Sequence, residues 1–500
     1  MIGVFDPIQA SIERGRGNEM AEHPAKSEEP RNKHSGPRWW NPWYWPVGIW
    51  AIVIGAGVMA IPFGIRTVML SGVPAMQEPF DVNAFAEWDV PPDQDAFTEY
   101  RLASEQYARI VSELKSQGIE GVQEPQDYRL VLENGWSAAD ESVAKWLEMY
   151  RGPLATWRQG TARQQGLNLS PDQISFGSVL TTVQDQRMFT RLALCEEARL
   201  IEEGKFDEAR QWARASFRSG GHTSHRGCLV QAFVGTAIHA MSADGLARWA
   251  EESSVNSEQL KQALIDVRSD YALYETISSV LKVEYLALRN TFTSPAWSAV
   301  ISPINPGNPA AASQPMRMGY WIVGEPELTL RLARQLLANQ IQEIDKPIHL
   351  RRKTAGAGAA MMFDPDPTVP MLPGQLNPAG IDRGINSSSL TRMLIPTTKM
   401  YDTTMLRQKA RQSTLEVLLA AQAYRRDHAE FPQTLQQLIP VYLESIPLDP
   451  FNPAGGPLLY RRDEVSKAVV WSLGDDQGDH GGTVTSPPEG RPTDVGFLLK

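Results

Sequence analysis

The stretch WWNPWYWPVGIWAIVIGAGVMAIPFGI, Trp39 to Ile65, contains no charged residue. A soluble core helix is rarely apolar on every side for so long. At about 1.5 Å per residue, the Val47–Ile65 part is long enough to cross a hydrocarbon core of roughly 30 Å. Trp39, Trp40, Trp43, Tyr44 and Trp45 crowd one end, where amphipathic rings favour the headgroup layer, and a membrane helix tolerates Pro62 and the scattered glycines. Residues 39–66 therefore predict an aromatic-flanked transmembrane helix. The polar segment ahead of it, about 40 residues, exceeds the usual n-region of a cleaved signal peptide, so the anchor is expected to be uncleaved. Arg31, Lys33 and Arg38 precede the span; Arg66 alone follows closely, before Glu78 and Asp81. The positive-inside tendency puts the N-terminus in the cytoplasm and residues 67–500 outside it. Residues 1–38, rich in Glu, Arg, Lys, Ser and Pro, read as a disordered cytoplasmic tail.

An apolar fraction of 42% against 21% charged residues fits a globular chain. A formal net charge of −10 argues against a polyanion-binding surface, so no nucleic-acid partner is expected, and the basic run Arg351–Lys353 reads as a solvated patch. The two cysteines, Cys195 and Cys228, leave two readings open: one bridge between neighbouring helices, or two small buried hydrophobes.

Residues 94–292 predict a helical domain. DAFTEYRLASEQYARIVSELKSQG places Phe97, Tyr100, Leu102, Tyr107, Ile110, Val111 and Leu114 at spacings of mainly three and four and stops at Gly118. In RLALCEEARLIEEGKFDEARQWARASFRSGG, Gly204 separates two amphipathic helices, and GKFDEAR resembles the turn of a tetratricopeptide-type hairpin over a single unit. Such hairpins build surfaces that hold other proteins. His222, His225 and Cys228 stand at three-residue steps, a spacing that can present metal ligands, although Gly220–Gly221 read as a loop entering the next helix. His239 reads as a core histidine, and the pairs Glu196–Glu197 and Glu202–Glu203 as solvated helix faces. No nucleophile–base, zinc or phosphate-loop motif appears, which leaves an envelope hydrolase as the weakest functional class. Residues 293–388 are Pro-, Ala- and Gly-rich around one clear helix, PELTLRLARQLLANQIQEI.

Residues 389–500 predict a helix-plus-antiparallel-sheet module. Asp402–His428 reads as a long helix, PQTLQQLIPVYL as a short one, and Pro457–Arg461, Lys467–Leu473 and Thr493–Leu499 as three strands. The fold class expected overall is α+β: a mainly α-helical ectodomain after one transmembrane helix, closed by this small module.

The module resembles the globular part of the major pseudopilin of bacterial type II secretion systems. The resemblance covers roughly residues 410–498. It rests on Tyr424, Asp427 and Pro432 after the helix, the turn Pro447, Asp449, Pro450 and Phe451, the loop VVWSLGDDQGDHGG, and TDVGF. Gln477 stands where that family commonly has Gly. The chain also resembles large uncharacterised bacterial envelope proteins that end in the same patterns after a helical ectodomain. The pseudopilin resemblance implies structural calcium at the loop, with Asp476 matching its Asp and Asp494 an acidic residue before the last strand. Asp475 and Asp479 could add oxygens, since hard cations take six to eight. These readings lead to a single-pass protein of the cytoplasmic membrane, with other envelope proteins as expected partners and an interaction or scaffold role. The alternative is a component of a secretion or pilus-like apparatus.

Overall fold

The computed structural model describes residues 46–500 apart from 88–89, 119–123, 179, 296, 301–313, 356–359, 395–397 and 486–491. The expected cytoplasmic tail and the aromatic cluster Trp39 to Trp45 lie outside the described residues. The anchor segment forms one helix, Val47–Ser71, and none of its residues is buried in the protein. It is the one helix among the described residues that is long and apolar enough to cross a membrane. Ile52 and Val68 are 71% and 69% exposed, an apolar surface that water does not favour.

Residues 62–500 form one compact unit. The mainly helical, α+β expectation holds. Side-chain caps set several helix starts. Asp95 accepts from the Phe97 amide at 3.0 Å, Asp140 from Val143 at 2.9 Å, and Asn256 forms a capping box with Gln259. The helices Thr181–Glu202, Phe206–Ser224, Leu229–Glu251 and Ser257–Tyr271 pack successively around Phe189, Phe217, Leu246 and Trp249. Gly204 turns the first hairpin at φ 72°. The same core takes in Leu415, Leu418, Leu419 and Ala423 of the long helix Thr398–His428, so the helical body and the C-terminal module share one apolar interior.

Three local expectations change. Gly220 and Gly221 do not open a loop, because the Phe206–Ser224 helix runs straight through them. A side chain on Gly220 would overlap the Tyr274 hydroxyl and come 3.0 Å from the Gly235 carbonyl oxygen, so glycine here serves helix crossing. Glu197 is not on a solvated face but fully buried beneath Gly245. Residues 293–388 also hold more than one helix: Gln314–Ile322 and Pro378–Ser387 flank Glu327–Gln340, and a two-residue antiparallel pair, β1 (Thr354–Ala355) with β2 (Met362–Phe363), lies between.

In the module, β3 (Leu459–Glu464), β4 (Lys467–Ser472) and β5 (Val495–Leu499) form an antiparallel sheet in the order β3-β4-β5. Trp471 pairs with Leu459 on one side and Gly496 on the other. Ala468 and Val470 join the shared core, while Val469 and Trp471 point to the opposite face.

Candidate functional site

The acidic loop leaves β4 at Leu473 and returns at Asp494. At Gly474, with φ 74°, any side chain would overlap the Thr493 carbonyl oxygen, so the sharp exit demands glycine. The loop folds back over the outer face of the sheet. A side chain on Gly482 would stand 3.0 Å from Val469 and 3.2 Å from the Trp471 ring. That contact explains why a central strand with a second covered face is buried along nearly its whole length.

The structure places the four predicted aspartates as follows. Asp494, fully buried, accepts the Gly482 and Thr483 amides through Oδ2 at 2.9 and 2.8 Å, and the His480 amide through Oδ1 at 3.4 Å. Asp479 Oδ1 accepts the Trp471 indole at 3.0 Å and the Gly481 amide at 2.9 Å. Asp476 accepts the Gly478 amide at 3.0 Å and lies 2.8 Å from the His480 Nε2. The Gly478 amide, and next the His480 contact, pull the Asp476 carboxyl below its ordinary value, and the same contact raises the His480 imidazole. Asp475 turns away to the long helix, where Arg407 donates to it at 2.7 Å.

Asp494 thus ties the loop to the start of the last strand through N–H donors. A calcium held by all four aspartates would require Asp475 to leave Arg407 and His480 to leave Asp476. Among the described residues no group of three or more His, Cys, Asp and Glu is placed to hold a metal. Calorimetry of the full chain in detergent is expected to give the same melting temperature, within about 1 °C, with calcium or with chelator. A rise of several degrees with calcium would mean that the loop rearranges around the ion.

One further carboxylate organises the module. Asp449, in the Pro447–Phe451 turn and 3% exposed, accepts the Ser472 hydroxyl, the Leu473 amide at 2.9 Å and the Phe451 amide at 2.9 Å. The turn motif drew attention to this residue, but its inward direction depends on β4 arriving beside it.

The other sequence candidates go to separate partners. His222 is buried with Nδ1 at 2.9 Å from the Tyr100 hydroxyl, and burial holds its imidazole down to about 3. His225 Nδ1 lies 3.0 Å from Glu275, a contact that helps hold the Glu275 carboxyl down to about 2 against its burial. Cys228 caps the Leu229–Glu251 helix. Cys195 and Cys228 are both free and buried, in different apolar clusters, and burial raises their thiols to about 12 and about 11. His239 is the buried core histidine expected, 3.3 Å from Gln412 and against the Phe217 ring. Arg351 of the basic run is not solvated; it donates to Asp402 at 2.8 Å beside the long helix.

A groove of about 270 Å³ opens where the helical body meets the module, lined by Tyr271, Tyr274, His349, Met405, Lys409 and Leu448 among others. Its acids are engaged: Asp345 accepts the Ser278 amide at 2.9 Å, and Glu275 holds His225. Lys409 is exposed. Periodicity could not reveal this groove, since it is assembled from four segments distant in sequence. Compared with known proteins, the chain matches no family model, no curated protein and no solved structure.

Proposed function

We propose that the chain is a single-pass protein of a bacterial cytoplasmic membrane, with its N-terminus in the cytoplasm and residues 67–500 outside. There it serves as an interaction or scaffold component of the cell envelope. The carrying observation is the Val47–Ser71 helix, whose apolar side chains from Val47 to Ile61 are all exposed and need lipid. The junction groove supports the interaction role: its acids are taken by other groups, and Lys409 lines it from an exposed position, so it suits a partner segment bearing a carboxylate.

A reporter that works only outside the cytoplasm, fused after Lys500, is expected to be active; activity of a cytoplasm-only reporter there would overturn the topology. A photocrosslinker placed at Leu448, on the groove's rim, is expected to trap a discrete partner in cells, and Lys409→Glu to abolish the adduct. No adduct in either background would remove the groove from the reading. The order of long helix, turn and three-stranded antiparallel sheet favours a second reading, a component of a secretion or pilus-like apparatus. Processing of the N-terminus by a prepilin-type leader peptidase would select that reading over the first.

A further inference from the structure

The last turns of the anchor helix and the segment that follows it are gripped by two parts of the ectodomain, and each carries exposed apolar side chains. The first is the Gln314–Ile322 helix. The Trp321 ring stands edge-on to Phe63 at 5.0 Å, and Arg66 donates to the Trp321 carbonyl at 2.7 Å with its guanidinium 5.1 Å from that ring. Met318 and Val323 beside it are 64% and 40% exposed. The second is the loop TVPMLPGQ, residues 368–375. Gly374 there takes φ 79°, and a side chain on it would come 2.7 Å from the Ala75 carbonyl oxygen. Gln335 fastens the two strands of chain, donating to the Gly374 and Pro74 carbonyls at 2.7 and 3.4 Å.

The loop is internally ordered. The Leu372 amide donates to the Gln375 side chain at 2.8 Å, and the Val369 amide to the Asp366 carbonyl at 3.2 Å. Its rigid turn nevertheless presents Val369, Met371 and Leu372 to the outside, 50%, 47% and 43% exposed, with exposed Pro370 and Pro373 between and after them. Apolar side chains held out by an ordered turn call for a covering surface.

The position identifies the cover. The anchor helix stays apolar through Val68, Met69 and Leu70, and Arg66 within it is satisfied by Trp321 and Glu327. The bilayer surface therefore falls near Ile65–Ser71, and Ala75 lies four residues beyond the helix end. At no more than about 3.5 Å per residue, Leu372 and Met371 are within roughly 10 Å of the Gly374 contact. The headgroup layer is itself several ångströms thick. We propose that the 369–373 loop and the Met318–Val323 end of its companion helix dip into the headgroup–acyl boundary of the outer leaflet, seating the base of the ectodomain on lipid. This rests on the anchoring reading above and goes beyond it, because a single flexible tether would need no such contact.

The test uses the full chain reconstituted into phosphatidylethanolamine–phosphatidylglycerol vesicles, with an environment-sensitive fluorophore on Met371→Cys, Met318→Cys or Val465→Cys. The native cysteines are buried and do not compete. Val465 is the control. Its carbonyl accepts the Phe431 amide just past the C-terminal end of the Thr398–His428 helix, whereas Thr398 at the other end holds Gln340 and Met361. That helix is about 45 Å long. At 371 and 318 the expected result is quenching by shallow lipid-borne nitroxide and about fivefold weaker quenching by aqueous iodide than at 465. Iodide quenching at 371 equal to that at 465 would overturn the proposal. Shielding from iodide without nitroxide quenching would also overturn it, by assigning the cover to protein. Failure of the chain to float with vesicles would overturn the anchoring reading itself and is scored separately on the gradient.

Discussion

Between pH 7 and pH 5, wild-type stability is expected to stay nearly level with respect to the buried groups His222, His239 and Glu197 and the half-buried Glu284. Glu197→Gln is expected to tilt that plateau by about 2 kcal/mol against the folded state at pH 5. Burial holds the imidazoles of His222 and His239 down to about 3, with Arg218 and Arg411 adding repulsion to the charged forms. The unfolded chain therefore takes those protons first. Stability is lost as pH falls below the ordinary histidine value, about 2 kcal/mol for each by pH 5.

The two carboxyls act in the opposite sense. Burial pushes Glu197 up to about 7 although Arg248 stands 3.6 Å away, and Glu284 also to about 7. The Glu284 Oε1 accepts the Leu229 amide at 3.3 Å, and its other oxygen is buried without a partner. For these groups the folded state takes the proton first, so stability is gained as pH falls from about 7 towards the ordinary glutamate value, again about 2 kcal/mol each by pH 5. The opposing pairs cancel until the carboxyl gain saturates below about pH 4.5, after which the histidine loss continues. Denaturation midpoints of the full chain in detergent at pH 7 and pH 5 measure the effect. A Glu197→Gln profile parallel to wild type would show that Glu197 is not the group taking up the proton.

Asp449→Ala is expected to cost about 3–5 kcal/mol, because three inward donors lose a buried carboxylate acceptor together. The Phe451 and Leu473 amides cannot turn to solvent without moving the turn or the end of β4. The loss should therefore be local as well as global, with faster amide exchange at Leu473 and across β4–β5. Asp449→Asn keeps one acceptor oxygen but aims an N–H₂ at a donor, and should fall between the two. An Asp449→Ala midpoint within 1 kcal/mol of wild type would mean that the turn and the strand are held by apolar contact alone.

The elements read most clearly from sequence were those set by local pattern. The anchor follows from an uncharged run, the long helix from Leu415, Leu418, Leu419 and Ala423, and the three strands from short apolar runs bounded by turn residues. Their ends shifted by a few residues, as with the long helix starting at Thr398. Glu197 was misread because a carboxylate among charged neighbours looks solvated, and only the approach of Gly245 from another helix covers it. The acidic loop was legible as a run of aspartates and glycines between the second and third strands. Which donors would meet its aspartates was not, since Arg407 comes from a helix about 70 residues earlier and the amides of 480–483 align only once the loop folds over Trp471.

By itself the sequence determined that this chain carries one apolar span, a helical body and a small α+β ending, because hydrophobic periodicity and uncharged length act locally along the chain. The tertiary structure alone decided which ionisable groups are buried, what the aspartates hold, and which apolar turn stands beside the end of the anchor. Those outcomes depend on segments far apart in sequence meeting in space, where burial and donor geometry, rather than residue type, set the chemistry.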